Sequence, residues 1–200
     1  GNIGAGYNVN GNVHDNTVTT DDTTINGNVY GAQTTNGNAV KNIVNLQGSR
    51  VGGDVYGSKA ASGSATNSTV NLSNTQVAGN VYAAEAASGS GNTVNFYGGK
   101  VGKTIYGLSS ASGTNNTLNV YNASTQKTAG DIKNFNNLNF DGISDANGNA
   151  ATAALNLTTA SDTDINNAKF KLNGEEYDVD NDTYGSLNIE EGKEYHLVHN

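Results

Sequence analysis

The sequence contains no cysteine, proline, methionine or tryptophan among its 200 residues. Without cysteine, neither disulfides nor thiolate metal sites can form, so backbone pairing and burial must supply the stability. Hydrophobic residues make up 34% of the chain, which is little for one round core of this length. No apolar run approaches the roughly 18 residues of a transmembrane helix. Neither a signal peptide nor an initiating methionine is visible, so we expect a mature fragment.

Charge is scarce and unevenly distributed. The formal net charge is −8, yet residues 25–132 carry six basic and three acidic side chains. From residue 160 onward there are ten acidic residues and three lysines. The chain has no concentrated basic face of the kind that nucleic acids require, so we expect no nucleic-acid partner.

What the chain does have is a repeat of 24 or 26 residues. One set of tripeptides alternates apolar, Asn and apolar residues, as half-buried strands do: Val44-Asn45-Leu46, Val70-Asn71-Leu72, Val94-Asn95-Phe96 and Leu118-Asn119-Val120. A second set ends in tyrosine: Gly27-Asn28-Val29-Tyr30, Gly53-Asp54-Val55-Tyr56, Gly79-Asn80-Val81-Tyr82 and Gly102-Lys103-Thr104-Ile105-Tyr106.

The spacing of these sets is constant except in one corner. Each tyrosine follows the start of a first-set strand (Val18, Val44, Val70, Val94) by 12 residues, and a turn glycine follows each tyrosine by seven. Only the segment from that glycine to the next strand varies, between seven and five residues. Equivalent strands that stack in register, with one corner absorbing insertions, explain this pattern. We therefore expect changes in residues 64–68 to leave stability nearly unchanged.

The pattern predicts an all-β fold, a parallel β-helix (β-solenoid) with 24–26 residue rungs and irregular capping regions at both ends. Each rung has room for three short strands, the third being residues 58–62 and their counterparts, whose alanines predict a narrow interior on that side. We divide the chain into an N-terminal partial rung or cap (1–17), regular repeats (18–132), and irregular final rungs with an acidic cap (133–200).

Alternation assigns each residue to a face. The inward column is Val29, Val55, Val81 and Ile105. Outward columns are formed by the asparagines (Asn45, Asn71, Asn95, Asn119) and the tyrosines (Tyr30, Tyr56, Tyr82, Tyr106), where amides bond and rings stack along the solenoid.

Both flanks contain imperfect copies of the repeat. Gly11-Asn12-Val13-His14 reads as an early copy of the tyrosine strand, and Gly130-Asp131-Ile132-Lys133 as a degraded one with lysine at the tyrosine position. Asn137-Leu138-Asn139-Phe140 follows, and alternation continues through Leu155-Asn156-Leu157, Phe170-Lys171-Leu172, Tyr177-Asp178-Val179, Leu187-Asn188-Ile189 and Tyr195-His196-Leu197.

The repeated Gly-Asn/Asp-Val-Tyr and Asn-Thr-Val-Asn strands, followed by residues 132–140, resemble the passenger domains of Gram-negative autotransporters. The closing segment 192–198 is similar to the last passenger strands before the translocator. The resemblance implies a right-handed β-helix on the cell surface or secreted, serving adhesion and virulence. The partner would be a host or bacterial cell-surface glycan or protein, and the outer membrane would be reached only through a translocator barrel that these residues lack.

The tyrosine column (Tyr30, Tyr56, Tyr82, Tyr106) is the candidate ligand-binding surface, since exposed rings can stack on sugars or anchor a protein. The alternative is that the rings only stiffen the solenoid. We expect no catalytic residues, cofactor or metal. Residues 178–182 alternate carboxylates but have Thr183 and Ile189 where a calcium loop needs Gly and Glu, so we interpret them, like Asp21-Asp22 and residues 162–164, as solvated turns.

Enzymatic alternatives have little support in the sequence. A polysaccharide-active β-helix would need a base beside cation-holding carboxylates, but Arg50 has only Asp54 nearby in sequence. The three histidines, His14, His196 and His199, lie in terminal regions. The leading hypothesis is a non-enzymatic surface adhesin or display stalk. A polysaccharide-active enzyme is the alternative, and an ice-binding solenoid ranks last because threonine columns do not persist through the rungs.

Overall fold

The computed structural model describes residues 1–121, 126–143, 153–159, 163, 165, 168–177 and 197–199. All regular secondary structure among them is β-strand, so these residues include no helix that could cross a membrane.

The strands are short and follow one another closely. The first twelve are β1 (Ile3–Asn8), β2 (Val13–His14), β3 (Thr17–Asp21), β4 (Thr24–Ile25), β5 (Val29–Thr34), β6 (Ala39–Val40), β7 (Ile43–Gln47), β8 (Arg50–Val51), β9 (Val55–Ala60), β10 (Ser64–Thr66), β11 (Thr69–Ser73) and β12 (Thr75–Val77). The others are β13 (Val81–Glu85), β14 (Ser88–Ser90), β15 (Thr93–Phe96), β16 (Gly99–Val101), β17 (Thr104–Leu108), β18 (Thr117–Tyr121), β19 (Lys127–Ala129), β20 (Asp131–Lys133), β21 (Asn137–Asp141), β22 (Leu155–Leu157), β23 (Lys169–Leu172), β24 (Glu175–Tyr177) and β25 (Val198–His199).

These strands form four sheets that run along the solenoid for about five turns. The tyrosine sheet contains β1, β5, β9, β13, β17 and β20; the short sheet contains β2, β6, β10 and β14; the asparagine sheet contains β3, β7, β11, β15, β18, β21, β23 and β24; the valine sheet contains β4, β8, β12, β16, β19, β22 and β25. Among the described strands, all pairs are parallel except the β23–β24 hairpin. The predicted all-β solenoid is confirmed.

The register confirms the repeat positions. Val44 pairs with Val70, Asn45 with Asn71, and Tyr56 with Tyr82. The step between partner residues is 26 for Val44 and Val70, 24 for Val70 and Val94, and shortens to 20 at Thr117 and Asn137. Equivalent positions of the repeat therefore meet on successive rungs.

The prediction of three strands per rung was wrong, because each complete rung contributes to four sheets. The tyrosine motif and the small-residue stretch form one strand, β9, while Arg50–Val51 pairs separately as β8. Residues 64–66, expected to lie in a tolerant corner, form β10 between β6 and β14. A backbone that crosses from one wall to another must pair its N–H and C=O groups, and the short sheet supplies those partners.

The register of the N-terminal flank also differs from the prediction. Val13 pairs with Ala39, so Gly11-Asn12-Val13-His14 belongs to the short sheet rather than to the tyrosine sheet. The counterpart of Val29 and Tyr30 is Ile3 and Gly4 in β1. This copy could not be recognised in the sequence because Gly4 stands at the tyrosine position.

Two hydrophobic cores fill the interior. The main core takes its residues from the tyrosine, asparagine and valine sheets, and includes the predicted inward column Val29, Val55, Val81 and Ile105, all 0% exposed. The alanine core lies between the tyrosine and short sheets and consists of Val13, Ala32, Ala39, Ala60, Ala65, Ala84, Ala86 and Leu108. It is the narrow interior that the alanines predicted.

A row of polar side chains, buried in its four central members and half-buried at both ends, runs along the corner that leads into the asparagine sheet. We call Asn16, Asn42, Ser68, Asn92, Asn116 and Asn136 the corner ladder. Asn92 is fully buried; its amide nitrogen donates to the carbonyl oxygen of Ala65 at 3.0 Å, and its Oδ1 accepts from the backbone N–H of Ser68 at 3.1 Å. Five of these residues come directly after a residue whose backbone φ angle is positive. Those preceding residues are Asp15, Lys41, Asn67, Gly91 and Asn115. Asn and Gly tolerate this left-handed turn best, which explains part of the chain's unusual composition.

The C-terminal strands extend three of the sheets. β20 and β21 pair in the predicted register, with Lys133 beside Tyr106 and Leu138 beside Leu118. Residues 155–157 join the valine sheet, whereas residues 170–172 extend the asparagine sheet. The predicted alternating segments at 187–189 and 195–196 lie outside the described residues.

Candidate binding surface

The tyrosine column forms a continuous ring stack on the outer face of the tyrosine sheet. Ring centroids are 4.9 Å apart between Tyr30 and Tyr56, 5.1 Å between Tyr56 and Tyr82, and 4.8 Å between Tyr82 and Tyr106. Adjacent ring planes deviate by no more than 5° from parallel. Parallel pairing in register produces this arrangement, because one rung lifts each ring by the spacing of neighbouring strands.

Stacking covers the faces of the inner rings. Tyr56 is only 6% exposed, while the other three tyrosines are half-buried. Burial, followed by the nearby carboxylate of Asp54, raises the pKa of the Tyr56 hydroxyl. Burial and then Tyr106 raise the pKa of Tyr82 to about 12. Neither inner ring therefore offers the open face that sugar stacking requires, and Tyr56 is almost wholly covered.

Polar partners fix the orientation of two rings. The amide nitrogen of Asn28 donates to the Tyr30 hydroxyl at 2.8 Å, and the Tyr56 hydroxyl donates to Asp54 Oδ2 at 3.1 Å. Asp54 Oδ1 accepts the backbone N–H of Asn80 at 2.7 Å. The rings of Tyr30 and Tyr56 are therefore held by a residue two positions earlier in the chain as well as by stacking on neighbouring rings.

An ion pair lies in the next outward column of the same sheet. Lys59 Nζ is 2.8 Å from Glu85 Oε1, and both side chains are about one-third exposed. The same ammonium lies 4.8 Å from the centroid of the Tyr56 ring. Lys59 thereby links its own column to the tyrosine column through a cation–π contact.

A second aromatic stack, which the sequence analysis missed, lies on the asparagine sheet. Tyr97 and Tyr121 have centroids 4.5 Å apart and planes within 6° of parallel. Each follows the last inward residue of a first-set strand, Phe96 or Val120, so alternation alone would have placed both outward. Burial, followed by the interaction with Tyr97, raises the pKa of Tyr121.

The asparagine column is a hydrogen-bonded chain, as predicted. We call Thr19, Asn45, Asn71, Asn95, Asn119 and Asn139 the surface ladder. Each amide nitrogen donates to the oxygen one rung earlier, at 2.6–2.7 Å between asparagines and 3.2 Å from Asn45 to Thr19. The predicted four members are joined by Asn139 at one end and Thr19 at the other. These amides bond mainly to one another along the column.

A threonine column accompanies the surface ladder over three rungs. Thr69, Thr93 and Thr117 lie in register and half-exposed, with Ile43 and Asn137 at the flanking positions. The expectation that threonine columns do not persist is thus wrong for these three rungs.

The residues considered for catalysis or metal binding are not brought together in the described part of the chain. Arg50 is exposed on the valine sheet, where its neighbours in register are Thr24 and Gln76. Asp54 is committed to the bonds described above. No group of three potential metal-ligating side chains occurs among the described residues. His14 contacts only its neighbour Asp15, at 2.9 Å, among the side-chain bonds described for it.

Several of the residues named from the sequence cannot be placed. Residues 178–182, Asp162, Asp164 and His196 lie outside the described residues. Comparison with protein-family models, with curated protein sequences and with solved structures found no match to this chain.

Proposed function

We propose that this chain is a non-enzymatic passenger segment of a Gram-negative cell-surface protein, which attaches the cell to a glycan or protein partner or holds a binder away from the surface. The observation that carries the proposal is the tyrosine column: four stacked rings in register on a wall whose strands pair with those of neighbouring rungs. Aromatic side chains presented on a rigid scaffold are a common basis of recognition. The resemblance of the repeat to autotransporter passengers supports the cellular location.

The outer faces of the described sheets support binding or spacing better than catalysis. Arg50 has polar but uncharged neighbours in register, and Asp54 serves the tyrosine column. A polysaccharide-active site would bring a base and carboxylates together in a deep groove.

The test is binding of the purified chain to whole cells and to a glycan array. In Tyr56→Leu/Tyr82→Leu the apolar volume stays but the edges and hydroxyl groups disappear, so we expect at least about tenfold weaker binding. The matched control is Tyr97→Leu/Tyr121→Leu, which removes the other aromatic stack and should retain binding. Failure of the wild-type chain to bind any cell or glycan would contradict attachment. Equal binding by the wild type and the first variant would exclude the tyrosine column as the contact.

Ice binding is a second candidate because Thr69, Thr93 and Thr117 form a regular hydroxyl and methyl array on one wall. Thermal hysteresis of the wild type, lost in Thr93→Lys, would support it. A wild-type chain that shows no thermal hysteresis relative to buffer would rule out ice binding.

A further inference from the structure

The tyrosine column ends at a glycine. Gly4 pairs in register with Tyr30, at the position that tyrosine occupies on the next four rungs. Gly4 is exposed, and a Cβ added to it would meet only Tyr30 Cβ and O, both at 3.7 Å, an ordinary contact distance. Neither crowding nor a positive φ requires glycine here. Its effect is to leave out one ring of the stack.

The missing ring uncovers one face of Tyr30. Tyr56 and Tyr82 have rings on both sides, and Tyr106 is followed in register by Lys133. Of the four tyrosines, only Tyr30 has a neighbour in register without a side chain, namely Gly4. The ring is held in place by stacking on Tyr56 and by the 2.8 Å bond from Asn28, so its free face is preorganised.

The first rung, beside this face, is aromatic and amide-rich. Tyr7 lies on the same strand as Gly4, 68% exposed, and pairs in register with Gln33. Residues 2–13 contain no charged side chain, and the first lysine or arginine of the chain is Lys41. In the outward column that contains Tyr7 and Gln33, the first charged side chain is Lys59, on the rung after Gln33. Lys59, the cationic side chain nearest to Gln33 in register, is already paired with Glu85 at 2.8 Å, so an anionic ligand gains little from it.

We propose that the gap beside Gly4, bounded by Tyr30 and Tyr7, binds one pyranose ring of a neutral glycan. We call it the Gly4 slot. A pyranose has an apolar CH face that can pack on the free face of Tyr30, and hydroxyl groups at its rim that can bond to the amide of Gln33 and the hydroxyl of Tyr7. The inference rests on the proposed binding function and gives it a specific location and ligand class.

The test is titration of the intact chain with cellohexaose, mannohexaose and the acidic oligomer hexagalacturonate, followed by NMR and calorimetry. Gly4→Tyr adds the missing ring, fills the slot and should keep or raise the melting temperature while weakening neutral-oligomer binding at least about tenfold. Gly4→Ala is the control, with an expected change below about threefold. Tyr30→Leu removes the aromatic face and should also abolish binding.

Binding of neutral oligomers by Gly4→Tyr as tight as by the wild type would overturn the proposal. So would exclusive binding of the acidic oligomer, or no binding of any neutral oligomer. These results are separable from the broader function. Cell attachment that persists in Gly4→Tyr but is lost in Tyr56→Leu/Tyr82→Leu would refute the slot and leave attachment standing, whereas a wild type that binds no cell or glycan would refute attachment itself.

Discussion

The main core and the alanine core share the tyrosine sheet as a common wall, yet they are built from side chains of different size. The main core is filled by Val, Leu, Ile and Phe with two alanines, and the alanine core by Ala with one valine and one leucine. The short sheet lies close to the tyrosine sheet because small residues line the space between them. Side-chain volume therefore sets the cross-section of each part of the rung, while the backbone spacing along the axis stays constant.

The largest effect is expected from a charge in the main core. Val55→Asp buries a carboxylate at a fully buried position without a cation, and should destabilise the chain by more than about 4 kcal/mol in chemical unfolding. Gln76→Asp, on the exposed face of the valine sheet, should change stability by less than about 0.5 kcal/mol. Similar losses in both variants would mean that the inward and outward faces are wrongly assigned.

The corner ladder offers the next test, because its bonds lie between the two cores. Asn92→Ala leaves the Ala65 carbonyl and the Ser68 N–H without their partners and should cost about 2–3 kcal/mol. Asn92→Ser is the control: Ser68 fills the same position one rung earlier, so a smaller loss is expected. A neutral Asn92→Ala variant would show that the row contributes nothing to stability.

The alanine core should tolerate little added volume. Ala65 is fully buried in β10, between Ala39 and Gly89 in register, so Ala65→Leu should overpack the space and cost about 1–2 kcal/mol. The neighbouring Thr66→Leu projects outward and should be nearly neutral. This prediction replaces the expectation that residues 64–68 tolerate change. Equal melting temperatures for wild type and Ala65→Leu would contradict a narrow interior.

The last comparison concerns the outer face of the shared wall. The pKa of Tyr82 is raised to about 12 and that of Tyr56 is also raised, so the folded chain favours neutral phenols relative to the unfolded one, where the pKa is 10.0. The resulting stability is fully present below pH 10 and lost as the pH rises toward 12. Denaturant melts across this range, with tyrosinate absorbance, should show it. The Tyr56→Leu/Tyr82→Leu variant should lose less stability over this range, and an equal slope would assign the effect to other groups.

The sequence predicted the asparagine sheet well because most of its strands alternate over four or five residues. Val44 and Leu46 bracket Asn45, and this pattern recurs at fixed distances. β10 was missed because Ala65 is its only inward residue, and three residues are too few to display a period. The first copy of the tyrosine strand was missed because Gly4 stands at its tyrosine position. Gly11-Asn12-Val13-His14 was mistaken for that copy because its composition is similar.

The candidate binding surface, too, could be predicted only in part. Outward placement of Tyr30 and Tyr56 could be predicted from alternation, but the covering of the Tyr56 faces depends on ring orientation, which spacing does not specify. Tyr97 and Tyr121 obeyed the alternation but stood outside the motif that defined the repeat.

The direction of the hydrogen bonds in the surface ladder gives the solenoid an electrical polarity. Every amide from Asn45 to Asn139 donates toward the first rung, so five amide dipoles align head to tail and can polarise one another. The positive end lies at Thr19, and the negative end at Asn139, whose buried Oδ1 has no hydrogen-bond partner among the described residues. The residue next in register is Lys171, whose charge has the sign that this end favours. A stack of neutral side chains thus acquires two electrically distinct ends, as an α-helix does.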